Sequence, residues 1–358
     1  MTRIYLDHAA TTPLRPEVAE AMRRGLDLWA NPSSPHAEGR AARAALEDAR
    51  ARLKAALGWE GEVIFTGGAS EAAALAIGYT DAPLSFVSAV EHESVGKALD
   101  LADFTIPVAH DGAIDAKLLK VSLSDHRTLV AAQHVNSETG NRQDLAAVGR
   151  VVREAGGLLL ADCAQSAGKF PLPDADMAII SAHKFGGPIG IGALLVKDFA
   201  MLHPMGGQER GYRRGTENLP GALGLAAALE ACGDPYLDPD VLAPLDDLAA
   251  EARALGGTWL SDRLSDPTPY IRAIAMPGLS GSAQLMRFDM AGIAVSQGSA
   301  CSSGSLRTSH VLEAMGLDAD TASRTIRVSF GWNTTRAEVG RFCDAWLAMA
   351  REAAERAA

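Results

Sequence analysis

Lys184 stands directly after the apolar run Met177–Ser181, in Ser181-Ala182-His183-Lys184, and the chain continues Phe-Gly-Gly-Pro-Ile-Gly-Ile-Gly. Lysine is seldom buried, and the plain reading of one at a strand end is a side chain reaching for water. The glycines alter that reading, because they let backbone approach a ligand closely. A partly desolvated lysine has a lowered pKa, and its neutral amine can form a Schiff base with a carbonyl. Asp162 closes the run Gly157-Leu-Leu-Leu-Ala, and a carboxylate ending a buried strand needs a partner. That partner is either a structural hydrogen-bond donor or a protonated pyridine nitrogen, the pairing that keeps a pyridoxal phosphate (PLP) ring an electron sink. Asp162 precedes Lys184 by 22 residues, one strand–helix–strand step, so the two can face a common ligand.

Three further clusters could serve the same ligand. Gly67-Gly68-Ala69-Ser70-Glu71-Ala72 opens a helix; its free N–H groups make a phosphate seat, with Ser70 as an added hydrogen-bonder. Glu91-His92-Glu93 follows the run Leu84–Val90. A lone strand-end histidine is ordinarily structural, but beside a PLP site His92 is a candidate to stack on the ring. Gln297-Gly-Ser-Ala-Cys301-Ser-Ser-Gly-Ser305 sets a cysteine among residues that cannot bury it. Cys163, Cys232 and Cys343 read instead as small buried apolar residues. The setting of Cys301 suits a nucleophile that travels.

The elements that must position these groups alternate. A helix is expected from Glu38 to Leu57. Strands are expected at Val63–Thr66, Leu84–Val90, Thr128–His134, Gly157–Ala161, Met177–Ser181 and Ile191–Val196, with helix-length stretches between most of them. This is the pattern of a mostly parallel sheet covered on both faces, which binds ligands at the C-terminal ends of its strands. At residues 233–240 two prolines and three aspartates mark a domain edge. Beyond it a smaller αβ unit is expected: a helix near Val241–Leu255, a strand near Ile271–Met276, a helix near Ala283–Gly292, a strand near Thr325–Phe330 and a terminal helix from about Thr335 to Ala357.

Bulk properties narrow the classes. A chain of 358 residues is longer than one ordinary domain. With 44 acidic and 33 basic side chains the net charge is −11, which argues against nucleic acid as a partner. No apolar run approaches the ~18–20 residues needed to span a bilayer, so no membrane partner is expected. Met1–Asp7 has no signal-peptide core, so a cytoplasmic location is expected. No Cys-x-x-Cys pair points to a metal site.

Together these residues resemble a known family, the cysteine desulfurases, fold type I PLP-dependent transferases of the class V aminotransferase group, and among them the branch with an extended cysteine loop. The likeness runs nearly end to end: Tyr5-Leu-Asp-His-Ala-Ala-Thr-Thr-Pro13, Asn31-Pro-Ser-Ser-Pro-His36, Phe65-Thr-Gly-Gly-Ala69-Ser70-Glu71, Glu91-His92, Asp162-Cys-Ala-Gln165-Ser-Ala-Gly-Lys169, Ser181-Ala-His183-Lys184, Gly206–Asn218, Gly298–Gly304 and Arg324–Gly331. The resemblance implies an α/β fold: a large PLP-binding domain over 13–235 with a mostly parallel seven-stranded sheet, and a smaller αβ domain of 1–12 with 236–358 that carries the cysteine loop.

It also implies roles. Lys184 would hold pyridoxal 5'-phosphate covalently and move the α-proton, Asp162 would pair with the pyridine nitrogen, Gln165 would bond the ring hydroxyl, and His92 would stack on the ring. Ala69, Ser70, Ser181 and His183 would hold the phosphate, joined by Thr216 from the neighbouring subunit of a homodimer. Arg327, with Asn31 and Ser137, would bind the substrate, L-cysteine. Cys301 would take its sulfur as a persulfide and pass it to an acceptor or scaffold protein, for iron–sulfur cluster assembly or another sulfur pathway.

The sequence departs from the family pattern in places. Ser137 stands where a second Asn is usual before Glu138, Ala72-Ala73-Ala74 replace the usual Ser and Asn, and Leu306–His310 follow the cysteine loop. Two other readings fit the same residues. One is another PLP enzyme of this fold (a selenocysteine lyase, C–S lyase or aminotransferase), which could dispense with Cys301. The other is a catalytically reduced scaffold in a sulfur-transfer complex, whose cofactor would not respond to cysteine.

Overall fold

The computed structural model describes residues 3–96, 102–123, 127–298 and 309–357, so Cys301 lies outside the described residues. Seven strands form the central sheet: β2 (Glu62–Thr66), β3 (Leu84–Ser88), β4 (Phe104–Ile106), β5 (Thr128–Gln133), β6 (Leu158–Asp162), β7 (Met177–Ser181) and β8 (Gly192–Val196). They follow the N-terminal β1 (Ile4–Tyr5). Their order is β2-β8-β7-β6-β5-β3-β4. β8 alone runs antiparallel to its neighbours, so the C-terminal ends of the other six lie along one edge. The continuous apolar character of β5 to β8 follows from helices on both faces, which leave no wet side.

Helices α1 (Pro16–Asp27) and α2 (Ala37–Leu57) cover one face together with the helix Leu219–Glu230. α2 is rich in strong helix formers; it starts on the His36 ring, which accepts from the Gly39 N–H, and stops at Gly58 in the left-handed conformation (φ 62°). Leu219–Glu230 is mostly Ala, Gly and Leu and is buried on nearly every side, as a helix wedged between others and a sheet must be. Helix α3 (Ala69–Tyr79) covers the opposite face. Ala72 and Ala73 are fully buried there and Ala74 is exposed, so two of the three alanines that depart from the family pattern serve packing against the sheet.

The rest of the chain forms two small sheets. β9 (Thr258–Trp259), β10 (Ile271–Ala275) and β12 (Thr325–Ser329) are antiparallel in the order β12-β10-β9; β11 (Ile293–Ala294) pairs in parallel with β1. The expected helix at Val241–Leu255 is in fact two, Pro239–Leu242 and Pro244–Ala254. Pro244 has no N–H for the earlier turn, which breaks the helix there. β1, β4, β9 and β11 were not expected: each has two or three residues, too few to show a period of two. Among the described residues, no helix is long and apolar enough to cross a membrane.

Candidate active site

The strand ends converge on one cavity of about 530 Å³, lined by Gly67, Gly68, Ala69, Ser70, His92, Gln133, Ser137, Asp162, Gln165, Ser181, His183 and Lys184, among others. Lys184 sits at the end of a single 3₁₀ turn, Ala182–Lys184, that follows β7. The N-terminal segment folds over that turn. The Lys184 Nζ donates to the carbonyls of Ala9 and Ala10 (2.8 and 2.9 Å). Thr12 fastens the segment, donating from its N–H to the His183 carbonyl (2.7 Å) and from its hydroxyl to the Lys184 carbonyl (3.0 Å). Burial first, then the Arg327 charge, pull the Lys184 pKa from 10.5 to about 8. The same forces act on its neighbours. His183 falls to about 4 through burial and the charges of Lys184 and Lys169. His92 is lowered by desolvation and then by Lys184. The His92 Nδ1 accepts from the Ser94 N–H (3.1 Å), which puts the ring proton of the neutral form on Nε2.

Asp162 is the last residue of β6, one place later than the strand expected from the sequence. It accepts from the Ala164 N–H (2.8 Å). Behind it lies a buried carboxyl that sequence reasoning did not single out as a site residue, Glu91, which accepts from the Gln133 N–H. Burial raises both, and at Glu91 the Asp162 charge adds to the effect of burial. At Asp162 the Ala164 N–H and the Lys184 charge oppose that rise and favour the anion. Gln165 donates from Nε2 to the Ala9 carbonyl (2.8 Å), while its Oε1 is buried without a protein partner.

The phosphate end is built from backbone. Helix α3 starts beyond Gly68 with no side-chain cap, so the N–H groups of its first turn stay available, and the Ser70 side chain is exposed rather than capping. β8 passes so close that a Cβ on Gly192 would lie 2.5 Å from the Ile180 carbonyl oxygen and 2.9 Å from the Gly68 Cα, so no larger residue fits. A free uncapped helix start, a low-pKa lysine, an ionising carboxylate on a strand end and an unpartnered amide oxygen fit the phosphate, aldehyde, ring nitrogen and ring hydroxyl of PLP in turn.

Arg327, on β12, lies beside this cavity. Its Nη2 pairs with Asp7 Oδ1 (2.7 Å), its Nη1 donates to the Ser137 carbonyl (2.9 Å), and its Nε is buried and unpartnered. Ser137 itself lines the cavity. Not every expected residue converges. Asn31 is exposed and turns its Oδ1 onto the Ser33 N–H (2.9 Å), and Thr216 is exposed; neither lines the cavity. Cys163 and Cys343 are buried as expected, but Cys232 is half-buried, donating to the Ala228 carbonyl beside Arg15. Sequence reasoning gave no role to Asp7, to the carbonyls of Ala9 and Ala10, or to Lys169. Lys169 is half-buried with Nζ 5.5 Å from the Tyr236 ring centroid, and burial and the Lys184 charge lower it to about 7. All four lie within motifs that carried the family likeness, which was the available signal.

Fold and site together define a fold type I PLP-dependent enzyme. The aminotransferase class-V family model matches residues 4–342. A cysteine desulfurase of Cereibacter sphaeroides is 36% identical over 367 residues, covering 96% of this chain and 95% of its own. A NifS-like protein of Rickettsia africae superposes with a TM-score of 0.85 at 30% identity, covering 96% of this chain and 98% of that one. A protein named SspA, solved in complex with cysteine, gives 0.80 at 30% identity over 92% of this chain and 99% of its own. The chain belongs to the class-V aminotransferase family, with cysteine desulfurases among its relatives.

Proposed function

We propose that the chain is a PLP-dependent cysteine desulfurase that converts L-cysteine to L-alanine and passes the sulfur through Cys301. The observation that carries this reading is the convergence of Lys184, Asp162, Gln165, His92 and the α3 start on one cavity, with Arg327 beside it. Bound there, PLP supplies an electron sink for charge released at the substrate Cα. Lys184 holds the cofactor and, with its pKa lowered, moves the α-proton near neutral pH. Asp162 as an anion keeps the ring nitrogen protonated, Gln165 meets the ring hydroxyl, and His92 covers the ring face. Ala69, Ser70, Ser181 and His183 hold the phosphate. Arg327 turns its guanidinium to the substrate carboxylate, which a planar fork suits; Ser137 and Asn31 complete that end.

The Cys301 thiolate then attacks the substrate sulfur. The S–S bond forms as the Cβ–S bond breaks, the bonding pair stays on carbon and takes a proton, and alanine and a persulfide result. An acceptor protein takes the sulfur, for iron–sulfur cluster assembly. In this reading residues 13–235 hold the cofactor, 1–12 with 236–358 carry the cysteine loop, and the enzyme is a cytoplasmic homodimer. Ile189, at the cavity wall yet 78% exposed, and the exposed Thr216 favour a second copy closing the site.

The test is a single turnover with L-cysteine on the holoenzyme and on Cys301→Ala. Wild type should form alanine and a trapped persulfide. The variant should keep the cysteine-induced absorbance change and form no persulfide. Equal sulfur release by the variant would make the chemistry a C–S lyase elimination, and no spectral response in wild type would favour a scaffold.

A further inference from the structure

The phosphate end of the cavity holds a charge that phosphate binding does not explain. Glu71 is the third residue of α3 and lines the same cavity as Gly67, Gly68, Ala69 and Ser70. Its Oε2 accepts from the Gly67 N–H, the reach-back contact of a helix start. Gly67 and Ser70 are three residues apart, at most about 11 Å of chain, so the Glu71 carboxylate lies that near the phosphate seat. A carboxylate there repels a phosphate. Arg213 answers that charge: its Nε donates to Glu71 Oε1 (2.8 Å) and its Nη2 to Glu71 Oε2 (3.3 Å), with the arginine side chain only 20% exposed. The turn that carries Arg213 is held at its other end. Glu209 and Arg210 both adopt positive φ (49° and 57°), a costly conformation for residues other than glycine. It persists because the buried Glu209 carboxylate accepts from the Phe65 N–H on β2 (2.9 Å) and pairs with Arg50 (2.8 Å). Gln208 and Arg213 bridge each other across the turn. Glu209 thus grips the strand that leads into the phosphate seat, and Arg213 grips the helix that leaves it.

We propose that Arg213 sets the affinity of the site for the cofactor phosphate by neutralising the Glu71 carboxylate that lines the phosphate seat. This deepens the reading of the cavity as a PLP site and rests on it. Arg213 does not line the cavity and acts through Glu71, as a positioning residue. Together the two side chains add no net charge to the seat. Without Arg213, one negative charge faces a phosphate that carries about two near neutral pH. Without the Glu71 charge, one positive charge remains. The two substitutions therefore move PLP affinity in opposite directions, and the double variant restores it. A pair that only held the backbone would weaken binding in all three.

The test is equilibrium binding of PLP to the cofactor-free full chain, read from the absorbance of the lysine-bound cofactor. Pyridoxal, which has the ring and aldehyde but no phosphate, is measured beside it. Arg213→Gln should weaken PLP about tenfold, the order expected of one uncompensated charge at such a distance in a partly solvated cleft. Arg213→Lys, which keeps the charge, should stay within about threefold of wild type. Glu71→Gln keeps an acceptor for the Gly67 N–H and should bind PLP at least as tightly as wild type. Arg213→Gln combined with Glu71→Gln should return to within about threefold of wild type. Pyridoxal should bind every variant within about twofold of wild type, since no phosphate meets the changed charge. Glu71→Gln as weak as Arg213→Gln, a double variant no tighter than Arg213→Gln, or an equal loss for pyridoxal overturns the charge role and leaves the PLP site standing. A wild-type chain that binds no PLP overturns both.

Discussion

In the proposed reading Lys184 must be neutral to capture the cofactor aldehyde, and its pKa is the most direct measure of the site. Burial and Arg327 hold it near 8, against 10.5 for an ordinary lysine. The difference of 2.5 is worth about 3.4 kcal/mol at 1.36 kcal/mol per unit. The sign is that of a cation desolvated beside another cation: Lys184 is charged and unreactive below about pH 8, neutral and reactive above it. At pH 7.5 the neutral fraction is about 0.24 for a pKa of 8 and about 0.001 for 10.5, a ratio of about 240. The assay is reconstitution of cofactor-free protein with PLP between pH 6 and 10, followed by the absorbance of the lysine-bound cofactor and corrected with a free amine for the titration of PLP itself. The rate should rise and level off about pH 8. Arg327→Gln removes a neighbouring positive charge and should move that bend upward; Asp162→Asn removes a negative one and should move it downward. A rate still climbing tenfold per pH unit through pH 9, or two variants that move the bend in the same direction, would refute the electrostatic account of Lys184.

Arg327→Lys keeps the charge but loses the fork that meets a carboxylate with two hydrogen bonds, so KM for L-cysteine should rise roughly 10–100-fold with a smaller change in kcat, read from initial rates of alanine release. Ser137→Asn places an amide at the cavity wall in place of a shorter hydroxyl and should lower KM by about fivefold, one added hydrogen bond; an unchanged KM would separate this position from the substrate. Gly192→Ala forces a methyl onto the Ile180 carbonyl and the Gly68 backbone, and should cost about 1–3 kcal/mol in thermal unfolding together with weaker PLP retention. Glu209→Ala removes two bonds from the buried Arg50, which Glu209 pairs at 2.8 Å, and leaves it only the Glu47 pair and the Val63 carbonyl, so it should cost about 1–3 kcal/mol in denaturant unfolding.

What the sequence disclosed follows from what each residue does. β5, β6, β7 and β8 are buried on both faces, so they are written as unbroken apolar runs and can be read directly. The ends of β6 and β7 locate Asp162 and Lys184, and the end of β2 locates the α3 start, because a polar or Gly-rich stretch after such a run has few other reasons to be there. β1 and β11 have two residues each and are defined by their partners, so nothing local marks them. The contacts of Lys184 were illegible for another reason: its acceptors are the backbone carbonyls of Ala9 and Ala10, and alanine carries no side-chain signal of a polar role. Asp7 and Glu91 were visible as letters, but a carboxylate announces its function only when its partner is known, and Arg327 lies 320 residues from Asp7.

That separation explains how the site is assembled. Strand β1 adds to β11, Asp7 bridges to Ser329 on β12, and residues 8–12 then run back across the Lys184 turn. One segment of the N-terminus therefore touches the arginine beside the cavity and the lysine at its floor. Asp7 orients Arg327, while the Ala9 and Ala10 carbonyls orient Lys184. The two cations repel, which lowers Lys184, and Asp7 tempers that repulsion through its pairing with Arg327. If Arg327 receives the substrate carboxylate as proposed, that carboxylate adds the negative charge that the pair lacks and raises the affinity of Lys184 for a proton as L-cysteine binds. In the proposed reading, the group that accepts the α-proton is thus made a stronger base by the substrate that carries it.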